Sequence, residues 1–239
     1  MVAAQVTPEK IALAWIDPEY TNGFFTRAMA QQAADMEYHG CLGEVIRVSA
    51  SQPNMARNNV VREFLETDNE WLWTIDADTI PDKGHFVKLW TAAQDYEADM
   101  VAGLFFIWKN ASTVVPAYFY EEDGKPGRLI QIYNALPEPG QELAACGLGS
   151  VLIHRRVFEA MPPARTEEYH WFDVLPEGEL GINDGTGMVG TDVQFFIRAR
   201  RLGFKLVCEP SAKANHIEFM GIDEKAWTHQ WQHTWEEAA

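Results

Sequence analysis

The chain has 239 residues, 47% of them hydrophobic, which suits one large domain or two intimately packed halves around a sizeable core. Thirty-five acids against nineteen bases leave a formal charge of −16, opposing broad nonspecific attraction to nucleic acid or anionic lipid. No run reaches the roughly 18 consecutive apolar residues of a membrane span, and no secretory signal is evident, so a soluble cytoplasmic protein is expected.

An apolar run from Ile11 to Ile16 predicts a strand, followed by the turn-like Asp17-Pro18 and a helix from about Phe24 to Tyr38. Glu44 to Ser49 repeats the strand signal, Pro53 to Glu66 the helix signal, and Trp71 to Ile75 the strand signal again. A helix from about Lys83 to Tyr96 leads into a strand from Met100 to Phe106. Strands alternating with helices of this length predict βαβ units and a parallel sheet. Beyond residue 106 the character changes. Pro116 to Tyr120 and Leu129 to Tyr133 flank Asp123-Gly124-Lys125-Pro126-Gly127, the pattern of a β-hairpin, and Ser150 to Ile153 reads as a further strand.

Pro162 to Val189 is rich in Gly, Pro and acids and poor in periodicity, and reads as a lid or binding loop. Its Trp171 and Phe172 could stack on a planar ligand or sugar, or anchor the loop to the core. Thr191 and Gln194 have capping-box spacing at the start of an amphipathic helix that runs to Leu202 and stops at Gly203. Lys205 to Cys208 is a last strand. Trp227, Trp231 and Trp235 then form a helical stripe suited to packing on the body, and His229 and His233 share its spacing without a third ligand in sight. Cys41, Cys146 and Cys208 match no zinc pattern and leave one unpaired in any disulfide scheme, which favours a reducing compartment. Arg155, Arg156, Arg198, Arg200 and Arg201 are the densest bases; they are solvated helix faces or, locally, a mouth for a polyanion.

The chemistry centres on Trp71 to Asp78, where an apolar strand ends in two acids one residue apart. In extended backbone Asp76 and Asp78 would project to the same side, and paired carboxylates at a strand's carboxyl end suit a hard divalent cation carrying a phosphorylated ligand. The blander reading is a surface turn.

Taken in order, the signals resemble glycosyltransferases of the GT-A fold, especially the family 2 type. The resemblance spans roughly residues 10 to 220: the first strand and helix, Ala56-Arg57-Asn58-Asn59, Asp76-Ala77-Asp78, Gly147 to Ile153, Gly190-Thr191-Asp192 with the following helix, and Asn215-His216. It implies an α/β, three-layer Rossmann-like sandwich with a mostly parallel central sheet and a small hairpin or acceptor region. Residues 1–106 would form the nucleotide-sugar half, 107–222 the acceptor and catalytic half, and 223–239 a C-terminal helix, all within one domain. It further implies a nucleotide-diphosphate sugar donor and Mn²⁺ or Mg²⁺ held by Asp78, His216 and Asp76. Asp17, Arg57, Asp76 and Ala77 would contact the nucleotide and diphosphate. Gly147, Trp171 and Phe172 would face the acceptor, and Asp192 would be the base of an inverting transfer. Family members often carry Glu-Asp where this chain has Thr191-Asp192.

The resemblance implies an acceptor hydroxyl on a glycan, protein, metabolite or hydroxymethylated DNA base, in the manner of compact bacterial and phage enzymes. Two other classes compete. Asp76 to Thr79 also fits the Asp-x-Asp-x-Thr signature of haloacid-dehalogenase-like phosphatases, although that strand usually lies near the chain start. A sugar-binding module without turnover is the third.

Overall fold

Alternate residues of the first strand belong to two different apolar clusters, Ile11 and Leu13 to one, Ala12 and Ala14 to the other. A strand buried on both faces lies between two layers of helices, and the rest of the architecture follows from that. The computed structural model describes residues 9–17, 21–49, 52–110, 113–122, 128–132, 136–164, 166–173 and 190–217. The tryptophan stripe with His229 and His233, the hairpin loop 123–127, and residues 174–189 of the long loop lie outside them.

The first half follows the expected alternation: β1 (Ile11–Ile16), α1 (Gly23–Tyr38), β2 (Leu42–Val48), α2 (Pro53–Leu65) and β3 (Trp71–Ile75). Asn22 caps α1 by accepting a hydrogen bond from the Phe24 N–H at 2.8 Å, and Pro53 opens α2 where its missing N–H costs nothing. A short β4 (Thr79–Pro81), α3 (His85–Asp95) and β5 (Met100–Leu104) follow. The expected strand to Phe106 stops at Leu104. Phe105 is buried, and β6 (Phe106–Asn110) starts a separate two-stranded ribbon with β7 (Thr113–Pro116). The expected hairpin forms between β8 (Tyr118–Glu121) and β9 (Leu129–Gln131), which pair antiparallel, and β10 (Ala145–Cys146) adds a third strand beside β8.

β11 (Ser150–His154) leads into a short helix absent from the sequence reading, α4 (Arg155–Ala160), and α5 (Thr191–Arg201) precedes the long β12 (Leu206–His216). The N-cap of α5 is Gly190, with Thr191 already inside the helix and no side-chain cap bond, which displaces the expected capping box by one residue. Gly203, at φ +92°, ends that helix as expected, in a conformation that L side chains rarely adopt.

The main sheet has seven strands in the order β2-β1-β3-β11-β5-β12-β4. β11 runs antiparallel to β3 and β5, and β4 antiparallel to β12, while the β1–β2, β1–β3 and β5–β12 pairs are parallel. Strands from both halves of the chain therefore share one sheet. β12 first pairs with β5, from Leu206 opposite Met100 to Glu209 opposite Gly103. Its register then shifts, and Ala214, Asn215 and His216 pair with Pro81, Ile80 and Thr79 of β4. That shift brings the end of the chain's last described strand to the acid pair.

Several polar groups fix this frame from inside. His85 is fully buried, stacked on Trp73 at 5.7 Å, with Nδ1 at 2.9 Å from the Lys213 carbonyl and Nε2 at 2.8 Å from Ser150 Oγ. A carbonyl only accepts, so Nδ1 carries the proton; Nε2 then accepts from the Ser150 hydroxyl, whose oxygen accepts from Trp73 Nε1 at 3.0 Å. The arginines grouped by sequence serve the body in the same way. Arg155 donates to the carbonyls of Leu65, at the end of α2, and of Thr67 and Asn69 beyond it, Arg156 pairs with Asp99, and Arg198 donates to the carbonyls of His170 and Trp171. All three cysteines are buried and free, and burial pushes the Cys208 thiol up to about 12. Among the described residues no helix is long and apolar enough to cross a membrane.

Candidate active site

β3 ends at Ile75, and the chain closes at once into a turn in which the Thr79 N–H donates to the Asp76 carbonyl at 2.9 Å. The two acids are thus not on extended backbone, and they diverge instead of sharing one side. Asp76 turns toward α2, with Oδ2 at 3.6 Å from Arg57 Nη2. Asp78 turns toward the end of β12, with Oδ2 at 3.4 Å from His216 Nε2. Strand pairing sets the second contact: His216 lies opposite Thr79, and the Ile217 N–H donates to the Asp78 carbonyl at 2.7 Å.

Arg57 joins the acid pair to the start of α5. Its Nη1 donates to Asp192 Oδ1 and lies 3.5 Å from Thr191 Oγ1, and the Thr191 hydroxyl donates to Asp192 Oδ1 at 3.2 Å. The other Asp192 oxygen accepts from the Leu148 N–H at 3.3 Å. Asp192 is thereby held by its neighbour Thr191 and by two segments far away in the chain. Burial would lower the Arg57 pKa, but the Asp192 and Asp76 carboxylates outweigh it and raise it, so the guanidinium is a fixed cation.

The two acids differ electrostatically. Burial raises the Asp76 carboxyl above its ordinary value, and the charges of Asp192 and Asp78 add to the rise against the opposing pull of Arg57. Burial acts on Asp78 in the same direction, but the hydrogen bond and charge of His216 overcome it and hold that carboxyl low. Two neighbouring carboxylates with pKa values pushed apart are a mark of functional sites.

Phe105 packs the remaining parts together. A Cβ on Gly149 would fall 2.6 Å from its ring, and one on Gly147 would fall 2.8 Å from it, so the strand entering β11 must be glycine to lie against this ring. The same ring meets His216 edge-on, with centroids 6.2 Å apart. Gly147 was expected to face the acceptor; its close neighbours here are Phe105 and Ala117.

Two expected site residues sit differently. Trp171 and Phe172 are 6% and 3% exposed and pack among Phe158 and Phe195, so they are core residues and not an open platform. Asn58 is the cause. Its Oδ1 accepts from both the Trp171 and Phe172 N–H groups and its Nδ2 donates to the Phe172 carbonyl, pinning the segment to α2. Asp17 lies at the tip of β1, buried and paired with Arg47 at 3.0 Å. Ala77 sits between the two acids, partly buried against the apolar cluster beneath α1 and α3.

Among the described residues no group of three His, Cys, Asp or Glu side chains is arranged to hold one ion, and Asp76 lies beside Arg57. Asp78 and His216 do converge. One hard oxygen and one imidazole are a partial donor set that fits Mn²⁺ with positions left for a ligand's own oxygens.

The seven-stranded sheet and its two helical layers define a GT-A-like, Rossmann-type α/β fold, as the resemblance implied. The chain superposes on the crystal structure of A197 from STIV with a TM-score of 0.54 at 18% identity, covering 88% of this chain and 86% of that one. It also superposes on GalNAc-T7 crystallised with UDP, GalNAc and Mn²⁺, with a TM-score of 0.52 at 11% identity, covering 89% of this chain but 44% of that protein. No protein-family model matches the sequence, and no curated protein matches it. At these identities the likeness is one of fold.

Proposed function

We propose that this chain is a glycosyltransferase that moves a sugar from a nucleotide-diphosphate donor to an acceptor hydroxyl with a divalent metal and inversion at the anomeric carbon. The observation that carries the reading is the meeting of Asp78 with His216 at 3.4 Å, beside an arginine that spans Asp76 and Asp192. The fold shared with a protein crystallised with UDP, GalNAc and Mn²⁺ supports it.

Asp78 and His216 would hold Mn²⁺ or Mg²⁺, which supplies charge neutralisation to a departing nucleoside diphosphate. Residues 1–106 serve the donor and residues 107–222 the acceptor. Asp17 and Ala77 line the nucleotide side, and Arg57 holds Asp76 and Asp192 in place until the donor's own negative charge competes for it. Asp192 accepts the acceptor hydroxyl proton as that oxygen bonds to the anomeric carbon. The bond from that carbon to the phosphate oxygen breaks, its electron pair leaving with the nucleoside diphosphate. Leu148 N–H and Thr191 orient the Asp192 carboxylate for this transfer.

Thermal shift with a panel of nucleoside diphosphates and nucleotide sugars, with and without Mn²⁺, tests the reading. A metal-dependent shift is expected for at least one nucleotide, and Asp78→Ala and His216→Ala should each abolish it. A shift that survives both substitutions would refute the ligand assignment.

A further inference from the structure

A cavity of about 400 Å³ opens beside His216, lined by Ala214, Asn215 and His216 of β12 and by Phe106, Ile107, Trp108 and Val114 of the β6–β7 ribbon. Phe106 and Trp108 are 40% and 44% exposed, and Val114, opposite Trp108 in the ribbon, is 48% exposed. Residues two apart on a strand share a face, so Phe106 and Trp108 project to the same side of the ribbon, their Cα atoms about 6.8 Å apart. Ile107 lines the same cavity and packs with Phe105, Ala117 and Ala214, which ties the ribbon to the body. Two large aromatic side chains left partly open on an anchored ribbon are the kind of surface that marks a binding site.

We infer that this ribbon is the acceptor platform, with Phe106 and Trp108 stacking on the C–H face of a pyranose ring and Asn215 bonding its hydroxyls. The inference rests on the transferase reading and names the acceptor class as an uncharged sugar. Continuity places it: His216 lines the cavity and also touches Asp78, and Phe105, next to Phe106, packs on the Gly147 and Gly149 segment whose Leu148 N–H holds Asp192. Charge selects the occupant. Among the described lining residues there is no Lys or Arg and the chain carries −16, which disfavours a nucleic-acid acceptor, whereas a neutral ring with one apolar and one hydroxylated side matches both the aromatic and the Asn215 parts of the lining.

Saturation-transfer NMR on the full chain with methyl glycosides of the common hexopyranoses tests this, with the nucleotide and Mn²⁺ thermal shift run in parallel. At least one glycoside should bind. Trp108→Ser should weaken it about five- to tenfold, Trp108→Phe should restore it, and the nucleotide shift should be the same in all three proteins. Glycoside binding that depends on Trp108 without any nucleotide shift would keep the platform and defeat the transferase reading. A nucleotide shift without glycoside binding, or glycoside binding indifferent to Trp108→Ser, would overturn the platform and leave that reading standing. So would a ribbon that proves to join two copies, seen as a dimer dispersed by Trp108→Ser, or one that binds hydroxymethyl-pyrimidine DNA in place of glycosides.

Discussion

Replacing His85 by Leu removes the ring that couples three elements of the sheet. The ring is fully buried and makes two hydrogen bonds, to the Lys213 carbonyl and to the Ser150 hydroxyl. The Lys213 carbonyl keeps a second partner, the Asp82 N–H at 2.9 Å, but the Ser150 hydroxyl loses its acceptor. Two net hydrogen bonds and one buried hydroxyl left unpaired amount to about 2–6 kcal/mol. For a chain of this size that lowers Tm by about 4–24 °C. Ser150→Ala should cost about the same, because it strands both Trp73 Nε1 and His85 Nε2. The double variant should then fall short of the sum by about 1–2 kcal/mol, since each change already breaks the other's network. Urea and thermal unfolding of the four proteins measure this directly. Costs that add to within about 0.5 kcal/mol would refute the single-network argument. The reach extends to the site, because Lys213 lies between the register shift of β12 and His216, so the Mn²⁺-dependent nucleotide shift should shrink in His85→Leu.

Asp192→Asn should retain nucleotide binding and lower the rate of transfer by about 10²–10⁴, the usual worth of a general base; an undiminished rate would remove Asp192 from that role. Gly149→Ala drives a Cβ to 2.6 Å from the Phe105 ring and should destabilise by about 1–3 kcal/mol, read as a lower urea midpoint; an unchanged midpoint would mean that the ring is not held as described. Asp82 pairs with Lys88 at 2.9 Å, and although burial would raise its carboxyl, the neighbouring His85 ring, with Nδ1 at 3.6 Å, and Lys88 hold it below the ordinary 3.8. A depressed folded pKa adds stability that is present above the unfolded value and lost as pH falls through the folded one. The Tm gap between wild type and Asp82→Asn should therefore stay level near neutrality and close below about pH 3.8, and a gap that widens in acid would contradict the sign.

Much of the frame was legible along the chain. The bounds of β1 and β3 follow from largely apolar runs, and α1, α2 and α5 from helical periodicity with Pro53 opening α2 and Gly203 closing α5, all of them local properties of backbone and side chain. The acids, His216, Arg57 and Asp192 were recognisable as residue types in a familiar order. Their partners were not. Local periodicity says which face a residue takes, but not which strand lies beside it or where a register shifts. Only the folded sheet inserts β11 between β3 and β5 and swings β12 from β5 to β4, the step that sets an imidazole against Asp78 and not Asp76. The same nonlocal hydrogen bonding buries Trp171 and Phe172 on Asn58, and the end of β5 at Leu104 leaves Phe106 and Trp108 on an open ribbon. Composition and pattern determined what this chain can build. Strand pairing and side-chain packing between distant segments decided which charged groups meet, because those contacts depend on three-dimensional distance that a one-dimensional spacing does not carry.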